Sequence, residues 1–277
     1  MFGTDLVALR GAAVGQASDS DLRAASARER RQRYGTIVVI GGGCYGSYYV
    51  RQLGRARAAG ALAWDALVVV DRDQDCRVAR ELREAPVAAV TVAVFDWAEF
   101  LDSYLDHAAA DLVSSELDAI VPSPLMPHLA FDWLERRARL RWPERRIERL
   151  PLDRAPDVPW QRRGADGTQY VSFAEWMCPI NCVEPARCPA TKGVRDWSMP
   201  PAVRAYVEQE RQRGIGLHGP LIFHCVHRAY GVGMFDAADL LAADAFVAAE
   251  TRFAATRFVI GTVSHCHGAL GSLSIGA

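Results

Sequence analysis

Short apolar runs alternate with amphipathic stretches through the first half of the chain. Residues 36–40 (TIVVI) form a β-branched apolar run of strand length, and Tyr49, Val50, Leu53 and Ala56 then recur on one helical face, with Gly60 as a stop. Further apolar runs at 66–70, 90–95 and 118–121 predict three more strands, with helical stretches between them. Buried strands alternating with helices predict an α/β class with a doubly wound, mostly parallel, Rossmann-like sheet over residues 35–140. Residues 141–170 lose this rhythm. Their arginines and prolines read as a connection or lid over the pocket. Two later apolar runs, 221–223 and 258–263, flank the helical stretch MFDAADLLAADAFVAAETRF. They predict a C-terminal strand–helix–strand unit that extends the first sheet in parallel. Residues 1–34 carry neither period and read as a mobile extension, and 141–277 form a Cys/His-rich metal-binding and substrate region.

Between the first strand and its helix stands GGGCYG, in which Gly41, Gly43 and Gly46 fit G-x-G-x-x-G. Each glycine has a physical task there: Gly41 for the tight turn, Gly43 for backbone approach to a pyrophosphate, Gly46 for close packing of helix on strand. The helix N-terminus offers unpaired N–H groups and partial positive charge to phosphates. Asp71 ends the second predicted strand, placed to accept hydrogen bonds from ribose hydroxyls and to repel a 2′-phosphate. NAD is thereby favoured over NADP, although the adjacent Arg72 opposes that preference. This stretch resembles the Rossmann NAD(P)-binding superfamily over about residues 35–140. The resemblance implies a fold and a cofactor class and leaves the reaction open. Transferases using ordinary or decarboxylated S-adenosylmethionine carry similar strand–glycine–helix–acid patterns and remain an alternative. Past the fourth strand, the loop from Pro122 to Pro127 is expected to edge the nicotinamide side. His128 is expected to start the next helix, and Asp96 to cap the helix after the third strand.

Composition narrows the class. The net charge of −1 supplies no global field toward nucleic acid or membrane. No apolar run reaches the roughly 18–20 residues of a spanning helix. The N-terminal stretch lacks a basic start followed by an apolar core, so a cytoplasmic location is expected, where disulfides rarely persist. The seven cysteines then point to metal, catalysis or burial. Of 32 basic residues only Lys192 is a lysine, a bias that base composition explains as well as any chosen role beside the cysteines.

The densest chemistry lies at CPINCVEPARCPATK, which spaces Cys178, Cys182 and Cys188 as C-x3-C-x5-C. Its prolines exclude a long regular helix, and a looping backbone turns several thiolates toward one point. Thiolates select iron–sulfur clusters, zinc or copper(I). Paired C-x2-C zinc spacing is absent and proline directly follows two of the cysteines, so a [4Fe–4S] cluster is the leading expectation, with zinc second and plain packing third. A fourth ligand is expected from one of two similar segments, FHCVH (His224, Cys225, His227) and SHCHG (His265, Cys266, His267). Cys225 is preferred because its strand follows the cluster sooner, and His265 or His267 is expected to face the cleft as acid–base or ligand.

The combined expectation is an NAD(P)-binding, iron–sulfur oxidoreductase acting on a small molecule or serving a redox partner protein. Nicotinamide moves two electrons as hydride, whereas clusters normally pass one. A flavin, an open iron acting as a Lewis acid, or a purely structural or regulatory cluster would reconcile the two. The alternative class is therefore a non-catalytic redox or nucleotide sensor, or an electron-transfer accessory.

Overall fold

The computed structural model describes residues 32–174, 178 and 180–277. Most of the expected N-terminal extension, and Pro179 of the cysteine loop, lie outside the described residues. The first sheet begins with β1 (Arg33–Ile40), followed by α1 (Cys44–Ala58), β2 (Ala63–Asp71), α2 (Arg77–Glu84), β3 (Val90–Val94) and α3 (Trp97–Ala110). A short α4 (Leu112–Ser115) leads to β4 (Ala119–Val121). These four strands lie in the order β3–β2–β1–β4, all parallel. Their apolar side chains are buried on both faces: Ile37, Val38, Val39, Leu67 and Val69 are fully inaccessible. Such runs suit a parallel sheet covered by helices. Asp96 caps α3, its side chain accepting from Ala98 N–H at 2.9 Å, and His128 stands at the start of α5 (Leu129–Arg141).

Beyond β4 the sheet changes direction. β10 (Val232–Asp236) pairs antiparallel with β4, and β9 (Val226–Ala229) pairs antiparallel with β10. The hairpin turn is Tyr230–Gly231, both at positive φ (47° and 78°), as the tight turns between twisted strands require. Met234 to Asp236 therefore belong to a strand, and α7 (Ala237–Glu250) takes only the rest of the expected helical stretch.

The C-terminal strands form a sheet of their own, which corrects the expectation of one continuous, mostly parallel sheet. β8 (His218–His224) and β11 (Thr256–Val263) are parallel neighbours, as expected, but the order is β6–β7–β12–β11–β8. β12 (His267–Ile275) pairs antiparallel with β11 along its length. Its other edge is shared by β7 (Gln169–Ser172) and β5 (Ile147–Leu150), and β6 (Trp160–Arg163) lies outside β7. Both sheets are mixed overall. The physical reason lies in the eight register pairs from Thr256↔Ile275 to Val263↔Gly268, which with β8 on the other side occupy both edges of β11. One buried cluster nevertheless joins Val38 and Ile40 of the first sheet to Phe258, Ile260 and Leu273 of the second. α5 sits between them, and its Phe131 ring fills the space that a side chain at Gly271 would need. α6 (Met199–Gln212) covers the opposite face of the second sheet with Met199, Val203 and Val207.

Candidate functional site

The glycine loop makes a tight turn and a close contact of helix on strand. Gly41 sits at φ +89°, in the left-handed region, and donates its N–H to Val70 O at 2.8 Å. A Cβ on Gly46 would lie 1.9 Å from Gly41 O, whereas one on Gly43 would meet nothing within 4 Å. Gly46 is thus a packing glycine, and the space in front of Gly43 is open. Asp71 closes over the loop: one carboxylate oxygen accepts from Gly42 N–H at 2.6 Å and the other from Asp73 N–H at 3.0 Å. Arg72 is turned aside, its guanidinium 5.4 Å over the Trp97 ring and 3.9 Å from Asp96.

A cavity of about 240 Å³ opens between the two sheets. Tyr45 and Tyr49 of α1 and the proline loop at Pro122, Pro124 and Pro127 form one side of its lining. The other side holds Cys178, Cys182, Cys225, Cys266, Glu184 and His227, with His267 beside them. The C-x3-C-x5-C loop and both His–Cys segments thus meet near the glycine-loop helix.

Within that wall the thiols divide. Cys178 has Cys182, Cys266 and Cys188 as electrostatic neighbours and hydrogen-bonds with Cys182, and burial together with these thiols pushes its pKa up to about 12. Cys225 stands apart beside Tyr49, Glu184 and Arg228, and burial pushes it also to about 12. The fourth thiol near Cys178 is therefore Cys266, which follows β11, while the preferred candidate Cys225 follows β8. Among the described residues, no three His, Cys, Asp or Glu side chains stand at the spacing of a single-ion site.

The sulfurs are nevertheless furnished with donors. Burial raises the Cys188 thiol, but the N–H groups of Thr191 and Ala190, the Thr191 hydroxyl and the Arg195 charge carry it below its ordinary range. The turn that supplies them is tied by Lys192 N–H to Cys188 O at 2.9 Å, with Lys192 at φ +63°. Cys266 Sγ accepts from Trp197 Nε1–H at 3.4 Å. Its thiol is raised by burial, against the Trp197 and Arg195 donors. Cys178 Sγ lies 3.0 Å from His267 Nε2, and His267 Nδ1 lies 2.9 Å from Ser172 Oγ.

The histidines separate likewise. His267 lines the cavity, and burial lowers its pKa to about 4. His265 lies outside the lining, edge-on to His224 with ring centroids 4.7 Å apart, and Ser198 Oγ is 3.2 Å from its Nδ1. His128 serves a different group, with its Nε2 2.8 Å from Tyr170 Oη. Sequence reasoning missed Tyr45, Tyr49, Glu184, Ser172 and Trp197. Tyr45 and Glu184 lie within the glycine and cysteine stretches, whereas Ser172 and Trp197 lie outside every stretch the sequence singles out.

Residues 130–276 match the family AF_1314_C, described as an uncharacterized protein, C-terminal domain, and the chain belongs to that family. The match begins within α5 and spans the whole second sheet with every cysteine and histidine of the cavity wall, while the glycine loop lies before it. No curated protein and no solved structure matches the chain. Among the described residues no helix is long and apolar enough to cross a membrane.

Proposed function

We propose that the protein is an NAD(P)-binding redox protein whose Rossmann-like glycine loop and thiolate-held metal centre share one cavity. The observation that carries this reading is the meeting of Cys178, Cys182 and Cys266 on the wall of a cavity that Tyr45 and Tyr49 of the glycine-loop helix also line, with Cys188 an electrostatic neighbour of Cys178.

The residues fit both groups. For a dinucleotide, the open space before Gly43 and the N-terminus of α1 suit a pyrophosphate. Asp71, held beside the loop, suits ribose hydroxyls, and the diversion of Arg72 onto Trp97 favours NAD over NADP. For a metal centre, donors approach three of the four sulfurs, and at Cys188 they favour the thiolate, while burial keeps the Cys178 and Cys266 thiols raised. Cys266 takes the fourth position in place of Cys225. An iron–sulfur cluster bound there would supply one-electron transfer or, with an open iron, Lewis acidity. The chain's own contribution is to exclude water with the tyrosine and proline wall, to hold Cys188 and Cys266 by directed N–H groups, and to keep His267 and His227 at the cavity for proton movement.

Anaerobic purification followed by iron, sulfide and zinc analysis, a visible spectrum, and titration with NAD and NADP tests the reading. Iron and sulfide with a broad brown absorbance, and micromolar NAD binding, are expected. A colourless, metal-free protein that binds neither nucleotide would overturn it.

A further inference from the structure

Glu184 is the least accounted-for charge in the molecule. Its side chain is only 8 % exposed, yet it belongs to the cavity lining. Its backbone is held at φ +51°, a left-handed conformation costly for a residue other than glycine. The residues just before it, Cys182 and Val183, pack against Gly231 of the β9–β10 turn, where an added Cβ would lie 3.3 Å from the Val183 side chain. Among the described residues neither carboxylate oxygen has a hydrogen bond. Among the described residues its sole ion-pair partner is His227 Nδ1 at 3.8 Å, and that nitrogen has no hydrogen-bond partner among them. No arginine or lysine among the described residues reaches Glu184 within ion-pair distance.

A buried carboxylate without hydrogen bonds is costly unless a cation meets it. The thiols beside it become anionic once they hold metal, and the nearby cations Arg195 and Arg228 act on Cys266 and Cys225 without forming an ion pair with Glu184. Across the cavity stand the rings of Tyr45 and Tyr49, whose faces attract cations. The wall is otherwise apolar at Pro122, Pro124, Ile180 and Val263, which disfavours a highly charged or extended ligand.

We propose that this cavity binds a compact organic cation, with Glu184 as its counter-ion and Tyr45 and Tyr49 as its aromatic wall. Two sources share that chemistry: the pyridinium ring of an oxidised nicotinamide reaching in from the glycine loop, and a protonated amine substrate. The inference deepens the reading above but stands on Glu184, whether or not the metal is iron.

Binding of N-methylnicotinamide cation and n-butylammonium to the full-length protein is compared with their neutral counterparts, nicotinamide and 1-butanol, by calorimetry and thermal shift. At least one cation is expected to bind tenfold or more tighter than its neutral counterpart, and Glu184→Gln is expected to remove that preference. Preference for the pyridinium, with NAD⁺ bound more tightly than NADH until Glu184→Gln equalises them, assigns the nicotinamide source. Preference for butylammonium alone assigns the amine. Equal binding of cations and neutral counterparts, or no binding of either cation, overturns the proposal, as does a preference that survives Glu184→Gln. If that variant does not fold, Tyr45→Leu decides, because a cation preference that it leaves unchanged also overturns the proposal. Gly43→Val separates this inference from the dinucleotide reading, since it should abolish NAD binding and leave butylammonium binding intact.

Discussion

His267 Nε2 lies 3.0 Å from Cys178 Sγ, joining the last strand of the chain to the first cysteine of the loop. Ser172 Oγ accepts from Ala174 N–H at 2.9 Å and lies 2.9 Å from His267 Nδ1. In the tautomer that accepts at Nδ1, a neutral imidazole carries its proton at Nε2, on the side of the sulfur. Hydrogen bonds to sulfur raise the potential of a thiolate-held centre. His267→Phe is therefore expected to retain metal but to lower the midpoint potential, measured by redox titration. Ser172→Ala should shift it in the same direction and less. An unchanged potential in both variants would show that the contact has no electronic role.

The separation of the thiols gives a second test. Cys178→Ser, Cys182→Ser, Cys188→Ser and Cys266→Ser should each lose most bound metal. Each should also melt at lower temperature, because metal binding and local folding are linked. Cys225→Ser and Cys44→Ser should keep full metal content, since Cys225 stands with Tyr49 and Arg228 and Cys44 lies in the glycine loop. Metal analysis per chain decides. Loss of metal in Cys225→Ser with retention in Cys266→Ser would reverse the assignment.

The sequence was most informative where backbone sterics dictate residue type. Only glycine fits the φ of Gly41 and the 1.9 Å approach at Gly46, so these positions announce themselves. The thiol cluster was half legible. Three cysteines within one loop are bound to be neighbours, but Cys225 and Cys266 follow equivalent apolar runs, and choosing between them needs the pairing of β8, β11 and β12. That pairing is long-range and leaves no local mark: residues 221–223 read as strand without saying which sheet they join. The β9–β10 hairpin was hidden because the helical period of its successor masked Met234–Asp236. Glu184 was illegible, since its burial comes from a turn some fifty residues downstream.

The two glycines separate stability from binding. Gly46→Ala forces a Cβ into backbone oxygen rather than a flexible side chain, so a loss of about 3 kcal/mol or more is expected, at or beyond the upper end of overpacking costs. Gly43→Ala meets no atom within 4 Å and should change stability by less than about 0.5 kcal/mol, as for ordinary surface positions, while weakening nucleotide binding. Denaturant unfolding and NAD titration on the same two variants check both halves. A Gly43→Ala protein with unchanged affinity would remove the pyrophosphate from this loop.

Acid should destabilise the metal-free protein before its carboxylates titrate. Burial, with His265, Arg204 and Arg228 nearby, lowers His224 to about 4, and burial lowers His267 to about 4. Both values lie below the ordinary 6.5, so between those limits the unfolded chain binds protons that the folded chain refuses. Stability then falls as pH drops, because the slope follows the excess of protons on the unfolded state. The contribution is complete above about pH 6.5 and lost progressively toward pH 4. At roughly 1.4 kcal/mol per pH unit for each group, His224 alone accounts for about 3 kcal/mol across the window. His224 Nε2 has no hydrogen-bond partner to lose, so His224→Phe should flatten the profile without a large cost at pH 7.5. Melting temperature measured from pH 7.5 to 4.5 on wild type and variant gives the comparison. Parallel profiles would mean that His224 binds protons equally in the folded and unfolded states, its pKa left unshifted by burial.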